Sequence, residues 1–389
     1  MKNSSFWKGL FVGLLITLLV VTGIFGVVVG KNFELVLNMV RVVEKLQTEA
    51  LQEVNTTQLL QGSIEGMVGS LDDPYSVYLP PKEAKDLGEH ISGSYGGVGL
   101  LISKEEDRLV VVSPFRGTPA FKAGIKSRDV ILEVDGEDTS ELTLEEAADK
   151  MKGHPDTEVV LSIWREGLTV PKDYTITREV IDIPSVRGEH LKAYPEIAYI
   201  SISMFNEHTG RELGEEIMRL RSEAKMKGII LDLRNNPGGF LPAAIEVASY
   251  FIPEGPVVYT VGKGVTQPLM STGKPLGLPL VVLVNNGSAS ASEIVSGAIK
   301  DTESGTIIGE TTFGKGLVQT VFQLGKGAAV KLTTHKYLTP DKHDINKKGI
   351  VPDIEVKMDP EEEMKALIEA PDLQNDIRLQ KAVDVLLKN

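Results

Sequence analysis

The sequence predicts a multidomain protein in which a β domain and an α/β core follow an N-terminal membrane helix and a helical arm. A length of 389 residues fits two or three domains. The first thirty residues hold a long apolar run, and near residue 180 short strands give way to strands that alternate with helices. The predicted boundaries are 1–31 for the membrane helix, 32–85 for the arm, 86–180 for the β domain, 181–358 for the α/β core and 359–389 for a C-terminal helical segment.

The composition excludes several classes of function. The net charge of −13 argues against a nucleic-acid-binding protein, because such a protein needs a basic face to meet phosphates. The chain has no cysteine, which excludes thiol catalysis, disulfide bonds and thiolate zinc sites.

The N-terminal run predicts a signal anchor. No charged residue lies between Lys8 and Lys31, and about 20 apolar residues suffice to cross a bilayer as a helix. A cleavable signal peptide has a shorter apolar core and an A-x-A-like exit, which this stretch lacks. Lys2 and Lys8 precede the run, so the rest of the chain is expected beyond the cytoplasmic membrane. The alternative is a long signal peptide that is removed near Gly30, and it also exports the body of the protein.

Residues 33–70 predict a helical arm, because apolar residues recur at spacings of three and four and no proline interrupts them. Pro74, Pro80 and Pro81 then prevent a continuous helix. The amphipathic pattern is compatible with contact to a second copy of the chain or to the protein's own core, and periodicity does not choose between them.

The region 91–180 predicts a β domain that contains one helix. Its β-rich runs, separated by turn residues, are GVGLLI, LVVVSPF, DVILEVDG and EVVLSIWREG. The helix is predicted over 143–153, where Thr143 and Glu146 have the spacing of a capping box. The glycine cluster SGSYGG stands ahead of the first run.

From residue 191 onward the pattern predicts an α/β core. Strands are predicted at IAYISIS, IILDLR and LPLVVLVNN, and helices at HTGRELGEEIMRLRSEAKMKG, PAAIEVASYFI and SASEIVSGAIKD. Apolar strands of this type are typical of a sheet that helices cover on both faces. A last amphipathic helix is predicted over PDLQNDIRLQKAVDVLLKN.

The stretch NNGSASASEI, residues 285–294, joins a predicted strand to a predicted helix through small residues. A serine there would stand at a helix N-terminus, where free N–H groups and the helix dipole favour developing negative charge. The alternative is structural, since Ser290 and Glu293 have capping-box spacing and serine is a common cap. Spacing alone does not select among Ser288, Ser290 and Ser292.

A catalytic serine needs a base to remove its proton. The six histidines are scattered and the chain has no G-x-S-x-G elbow, so nothing favours a Ser-His-Asp triad. Lys315 lies between Gly314 and Gly316, an unusual setting for a solvated surface lysine. To act as a base, Lys315 must be neutral, so its pKa must fall by about 3 from about 10.4, a change that corresponds to about 4 kcal/mol. Burial in an apolar pocket supplies such a shift, because it disfavours the charged ammonium. On a strand, Gln319 shares a face with Lys315, so its amide can hold the amine.

A third candidate is the loop NNPGG that follows the strand IILDLR. Its glycines allow a sharp turn that aims backbone N–H groups outward. One reading is an ordinary loop between a strand and a helix. The functional reading is an oxyanion hole, in which the N–H of Gly238 or Gly239 acts with that of Ala291.

Together, the motifs NNGSASASEIVSGAIKD, GETTFGKGLVQT and LDLRNNPGG closely resemble the carboxyl-terminal processing proteases, also called tail-specific proteases. The likeness covers roughly residues 60–385 and implies a core with the tail-specific protease (ClpP/crotonase-like) fold. It implies that Ser290 is the nucleophile, that Lys315 is the general base and that Gln319 orients the lysine. Some members carry a supporting aspartate at the place of Asp301, for which a structural role is predicted. The stretch TPDKHDIN departs from the family pattern and bears on substrate preference rather than on chemistry.

The β domain resembles the PDZ domain that these proteases carry ahead of the catalytic core. In that resemblance YGGVGLLI is the carboxylate-binding loop and the strand that follows it, and GTPAFKAGIKSRDVILEVDG is the later PDZ segment. Backbone N–H groups at Gly97, Val98 and Gly99 can receive a terminal carboxylate. The strand that begins at Leu100 can pair with an extended peptide by β-augmentation.

These features predict a single-pass, membrane-anchored serine endopeptidase on the extracytoplasmic side, which captures protein C-terminal tails through its PDZ domain. The resemblance implies no metal and no other cofactor, and a homodimer is possible. One alternative is a catalytically degenerate membrane scaffold whose PDZ domain binds protein tails. Another is a Ser-His hydrolase that acts on small molecules of the cell envelope.

Overall fold

The computed structural model of the chain describes residues 32–368 and 371–388. The predicted membrane helix, residues 1–31, lies outside these described residues. Within them, no helix combines the length and the apolar character that crossing a membrane requires. The chain forms two compact units, which divide between Pro80 and Pro81.

The first unit consists of two helices and a short strand. These are α1 (Phe33–Glu49), α2 (Thr56–Gly69) and β1 (Val77–Leu79). The predicted arm is therefore helical but interrupted, because Asn55 starts a new helix by accepting a hydrogen bond from the N–H of Thr57 at 2.8 Å. No side chain of α1 is buried.

The second unit begins with a helix and a β-rich region. Its elements are α3 (Pro81–Ser92), β2 (Ser94–Gly97), β3 (Leu100–Glu105), β4 (Arg108–Pro114), α4 (Pro119–Ala123), β5 (Val130–Val134), β6 (Glu137–Asp138), α5 (Leu144–Met151), β7 (Glu158–Trp164), β8 (Lys172–Thr177) and β9 (Glu179–Asp182). The predicted strand GVGLLI is divided, since β2 ends at Gly97 and β3 starts at Leu100.

The β-rich region has its own antiparallel sheet and its own core. The strand order is β3-β4-β5-β7-β8, which leaves β3 at an edge of the sheet. Buried apolar side chains such as Ile131, Leu161 and Ile163 fill the core. The predicted capping box of α5 is confirmed: Thr143 Oγ1 accepts from the N–H of Glu146 at 3.2 Å, and the Glu146 carboxylate accepts from the N–H of Thr143 at 2.8 Å.

The rest of the second unit contains the strands and helices predicted from residue 191 onward, and two antiparallel strand pairs interrupt their alternation. Its elements are β10 (Val186–Leu191), β11 (Tyr194–Ile202), α6 (Thr209–Glu223), β12 (Gly228–Asp232), α7 (Leu241–Ser249), β13 (Gly255–Gly262), β14 (Val265–Ser271), β15 (Leu280–Val284), α8 (Ala291–Asp301), β16 (Thr306–Gly309), β17 (Leu317–Gln323), β18 (Ala329–Leu338), β19 (Ile354–Glu355), α9 (Pro360–Ile368) and α10 (Ile377–Leu386).

A six-stranded sheet forms the centre of this α/β core. Its order is β10-β11-β12-β15-β16-β19, and every pair except β10 with β11 is parallel. Every residue of β12 and β15 is buried, which explains their continuous apolar sequences. Helices α6, α7 and α8 pack on one face and α10 on the other. The loops after β12 and β15 therefore leave the sheet side by side at its carboxyl edge.

A smaller antiparallel sheet of the core contains β17, β18, β13 and β14 in that order. The hairpin of β17 and β18 follows directly after Lys315. The C-terminal helix is shorter than predicted, because the Asp376 side chain caps α10 by accepting from the N–H groups of Arg378 and Leu379.

Candidate active site

The three alternating serines have different surroundings. Ser288 and Ser292 are buried, and their hydroxyl groups donate to the backbone oxygens of Leu233 at 2.7 Å and Asn236 at 2.9 Å. Both serines thereby fasten the turn to the loop after β12. Ser290 is half-buried and lines a cavity instead. The structure thus distinguishes one serine as the chemically accessible member of the run.

The backbone of Ser290 is strained. Its φ of 52° and ψ of −110° lie where residues with a Cβ are rarely found. Such a conformation costs about 1–3 kcal/mol and persists only when surrounding contacts enforce it. It sets Ser290 at a sharp corner between β15 and the first residue of α8, Ala291.

Glu293 holds the backbone of Ser290 in this conformation and connects it to the loop that carries Lys315. Its side chain is completely buried. One carboxylate oxygen accepts from the N–H groups of Ser290 at 2.8 Å and Lys315 at 2.9 Å. The other accepts from the N–H of Gly314 at 2.7 Å and from the Thr312 hydroxyl at 2.6 Å. The capping-box interpretation therefore holds for this glutamate, but the same carboxylate also fixes the candidate base.

Tyr337 provides a second connection between the two loops. Its hydroxyl lies within hydrogen-bond distance of the backbone oxygens of Ser290, at 3.2 Å, and Lys315. Burial raises the pKa of Tyr337 well above its usual value, and the nearby charge of Glu293 adds to the effect. The tyrosine is therefore a neutral donor. Because Glu293 and Tyr337 bind backbone atoms, they position the serine and the lysine without occupying Oγ or Nζ.

One cavity of about 500 Å³ brings the predicted catalytic residues together. Ser290, Lys315 and Gln319 line it. Lys315 is half-buried there. The remaining lining is mainly apolar and backbone, and it comes from Leu87, His90, Ile91, Pro237, Gly238, Gly239, Phe240, Leu241, Pro242, Ala291, Ile294, Leu317, Val318, Thr320, Val321, Lys331 and Tyr337. Among the described residues that line this cavity there is no aspartate or glutamate.

The glycine loop lies directly against the serine corner. A Cβ on Gly238 would stand 2.8 Å from the Cβ of Ser290, and one on Gly239 would stand 2.0 Å from the backbone oxygen of Phe205. Both positions also have positive φ, so only glycine fits. The N–H of Gly238 donates to the Asn236 side chain at 2.9 Å. Of the three N–H groups predicted for an oxyanion hole, that of Gly238 is therefore already engaged, and those of Gly239 and Ala291 are the remaining candidates.

Those two groups belong to Gly239 and Ala291. Within residues 32–368 and 371–388, neither N–H has a hydrogen-bond acceptor. Both residues line the cavity beside Ser290. An N–H at the first position of a helix and one from a facing loop are suited to bind a developing negative charge.

Gln319 is on β17 opposite Thr333. Its amide nitrogen donates to the Thr333 hydroxyl at 3.4 Å, and its side chain lines the same cavity as Lys315. The predicted orientation of the lysine by this amide stays a prediction. His90 is the histidine that lines the cavity among the described residues.

A second cavity, of about 340 Å³, lies between the PDZ-like region and α3. Val98, Gly99 and Leu100 line it as predicted, whereas Gly97 does not, because it ends β2 and pairs with Glu179. No acceptor in the described part of the chain takes the N–H of Val98 or Gly99. An edge strand and two unbonded N–H groups are the features that carboxylate capture and β-augmentation require.

Sequence reasoning missed a buried charge network behind the catalytic loops. Arg234 contacts Asp232 at 2.6 Å and Asp376 at 2.7 Å, and Arg378 contacts Glu310 at 2.9 Å. This charge network joins α10 to the carboxyl ends of β12 and β16. Charged residues directly after apolar strands were the available signal, but their distant partners could not be read from spacing.

The predicted structural role of Asp301 agrees with its contacts. It ends α8, and its carboxylate accepts from the N–H of Asp341 at 2.9 Å. It is absent from the lining of the catalytic cavity.

Three family models match the chain. The model for peptidase family S41 matches residues 196–356, the model for the PDZ domain matches residues 110–165, and the model for the N-terminal domain of the activating protease CtpB matches residues 32–83. The serine, lysine and glycine-loop motifs all fall inside the first of these matches.

Relatives match over most of the chain. A carboxyl-terminal-processing protease of Synechocystis is 40% identical over 83% of this chain and 76% of its own length. The carboxy-terminal processing protease CtpA of Bacillus subtilis is 39% identical over 81% of this chain and 67% of its own length. A putative S41 protease structure from Bacteroides fragilis has a TM-score of 0.50 at 16% identity, covering 88% of this chain and 92% of that one, and supports the fold alone.

Proposed function

Because the chain belongs to the carboxyl-terminal processing proteases of peptidase family S41, we propose that Ser290 is its nucleophile, Lys315 its general base and Gln319 the residue that orients the lysine. Members of this family are serine-type peptidases with a PDZ domain, and so is this chain. The substrates we propose are the C-terminal tails of proteins.

The proposed reaction starts with proton transfer from Ser290 Oγ to the neutral amine of Lys315. Oγ then attacks the scissile carbonyl carbon, and the oxyanion accepts hydrogen bonds from the N–H groups of Gly239 and Ala291. The Lys315 ammonium returns the proton to the leaving amine as the C–N bond breaks. Water attacks the acyl-enzyme, gives a proton to Lys315, and the carboxylate product leaves as Oγ is reprotonated.

The observation that carries this proposal is the connection between the two catalytic loops. Glu293 accepts from the N–H groups of both Ser290 and Lys315, and Tyr337 reaches the backbone oxygens of both. Fixed loops on either side of one cavity supply the orientation on which proton transfer depends. The apolar lining supports a neutral lysine, because burial disfavours the ammonium form.

Tail capture is the second part of the proposal. A substrate tail pairs with the edge strand β3, and its terminal carboxylate binds the N–H groups of Val98 and Gly99. The cavity beside them is largely apolar, with Leu100, Phe115 and Met151 among its walls. We therefore expect tails that end in apolar residues.

Membrane anchoring is the third part. The apolar run between Lys8 and Lys31 supports a single-pass anchor with the catalytic part outside the cytoplasm. Protease added to intact spheroplasts should digest the body of such a protein, and protection of the body would contradict this topology. N-terminal sequencing of the mature protein separates an anchor from a signal peptide cleaved near Gly30.

A homodimer is compatible with the same proposal. Helix α1 has no buried side chain, and it exposes apolar residues such as Leu35, Met39 and Val40. Sedimentation of the full chain in detergent would distinguish a dimer from a monomer.

The decisive experiment for the catalytic assignment uses Ser290→Ala and Lys315→Ala with a tail peptide as substrate. We expect both variants to lose cleavage while they keep the thermal unfolding midpoint of the parent protein. Ser222→Ala and Lys336→Ala are matched controls, since both residues are exposed, and they should cleave normally. Full activity of the lysine variant would eliminate the dyad.

The same assay separates the alternatives. A degenerate scaffold would bind tails without cleaving them in the parent protein. A Ser-His hydrolase would lose activity on His90→Ala, because His90 lines the cavity of Ser290. We expect His90→Ala to keep an acyl-enzyme step that Lys315→Ala lacks.

A further inference from the structure

A second lysine, Lys331, lines the catalytic cavity. It is on β18, directly opposite Val321 of β17, and paired residues in a ladder project to the same side of the sheet. Val321 and Gln319, two residues apart on β17, line the same cavity. Lys331 therefore lies beside Val321 in the cavity wall, and it is half-buried.

The ammonium of Lys331 lacks a protein partner. In the part of the chain that the structure describes, no hydrogen bond or ion pair involves it. Lys336, on the same strand, differs in this respect, because it forms an ion pair with Asp344 at 3.4 Å.

A bound substrate changes the energetics of this group. An extended peptide that fills the cavity displaces water from walls that are mainly apolar. A charged group that loses water without gaining a partner is strongly destabilised. No acidic side chain lines the described cavity, so the compensating charge must come from the substrate.

We propose that Lys331 forms a subsite for a substrate carboxylate beside the scissile bond. This inference rests on the catalytic role of Ser290 and Lys315, and it adds the chemical class of group that the cavity selects. The carboxylate belongs either to an acidic side chain near the scissile bond or to the free terminus of a short tail. Both would form a charge-assisted hydrogen bond with the ammonium.

The test measures binding separately from cleavage. Full-length protein carrying Ser290→Ala is titrated with fluorescein-labelled decapeptides of an alanine, valine and leucine background, and anisotropy reports binding. Amidated peptides with one Asp, moved along the sequence, are compared with the same peptides carrying Asn. A free-acid peptide without Asp is compared with its amidated form, so the two sources of carboxylate are measured independently.

We expect one Asp position or the free terminus to bind about tenfold more tightly than its uncharged counterpart, a difference of about 1.4 kcal/mol. Lys331→Met should abolish that ratio, and Lys331→Glu should reverse it in favour of peptides with Lys at the same position. Lys336→Met, the matched control on the same strand, should keep the ratio. Any free-acid preference that Lys331→Met leaves intact belongs to the PDZ domain.

Several outcomes would overturn the subsite. It fails if Asp and Asn peptides bind equally at every position and Lys331→Met also leaves the ratio between free-acid and amidated peptides unchanged, since Lys331 would then meet only backbone carbonyls. It also fails if Lys331→Met keeps the selectivity and instead shifts the pH profile of cleavage. Residual cleavage by Ser290→Ala would refute the catalytic assignment, whatever the selectivity, so the two failures are distinguishable.

Discussion

Glu293→Gln is the substitution that most directly tests how the catalytic loops are held. The glutamine side chain has the same shape, so packing is preserved and only the hydrogen-bonding capacity changes. The carboxylate accepts four hydrogen bonds, from the N–H groups of Ser290, Gly314 and Lys315 and from the Thr312 hydroxyl. An amide keeps one acceptor oxygen and turns an NH₂ group toward donors on the other side.

The magnitude follows from this count. Two of the four bonds are lost whichever way the amide faces, and a hydrogen bond to a charged group contributes about 1.5–3 kcal/mol. The expected loss of unfolding free energy is therefore at least about 3 kcal/mol. If loop displacement raises the reaction barrier by a similar amount, kcat falls by about 100-fold.

The assay combines urea unfolding with steady-state cleavage of a tail peptide. Loss should fall on kcat rather than on KM, because the PDZ domain that binds the tail is not altered. Glu303→Gln, at an exposed position shortly after α8, is the matched control and should match the parent. A kcat within threefold of the parent in Glu293→Gln would refute the view that this carboxylate fixes the serine and lysine loops.

Three further predictions follow from the same contacts. Lys315→Cys should lose activity by about 10²–10⁴-fold, the range for the loss of a general base. Aminoethylation of the new cysteine should restore activity with a pH profile shifted to lower pH, and the chain has no other cysteine to react. Lack of rescue would contradict an amine base. Burial raises the pKa of Tyr337 in the folded protein, so above about pH 10 the tyrosine ionises in the unfolded chain but not in the folded one. The free energy of unfolding should therefore fall by about 1.4 kcal/mol per pH unit in that range. Tyr337→Phe should reduce the slope of stability against pH by that amount. Asp376→Asn keeps the helix cap but removes one of the two buried carboxylates that contact Arg234, and urea unfolding should reveal a loss of about 1.5–3 kcal/mol.

Much of the fold was predictable because local patterns determine it. The apolar runs that form β12 and β15 are continuous because both faces of these strands are buried. The start of α5 was predictable because a capping box involves residues three positions apart. The break between α1 and α2 was missed, since an asparagine cap inside a periodic stretch competes with continued helix and the pattern does not decide the outcome.

The candidate site was predictable in its residues but not in its construction. The motifs predicted Ser290, Lys315 and Gln319, and these residues line one cavity. Spacing could not reveal that Glu293 serves two loops or that Tyr337 reaches both, because these contacts join segments more than twenty residues apart. The engagement of the Gly238 N–H by Asn236 also depends on the folded loop.

The six-stranded sheet and the smaller antiparallel sheet contribute different parts of the site, and this difference indicates which residues determine substrate preference. The loops after β12 and β15 are fixed by the buried carboxylate of Glu293, by the hydroxyl groups of Ser288 and Ser292, and by the charge network of α10. Such loops preserve chemistry but have little freedom to vary. The hairpin of β17 and β18 supplies much of the remaining cavity wall. Apart from Gln319 and Tyr337, which the proposed mechanism uses, the inward side chains of this antiparallel pair can change without disturbing the nucleophile. Substrate preference should therefore respond to substitutions on this hairpin, with Lys331 the first, while substitutions in the fixed loops should lower kcat for all substrates alike.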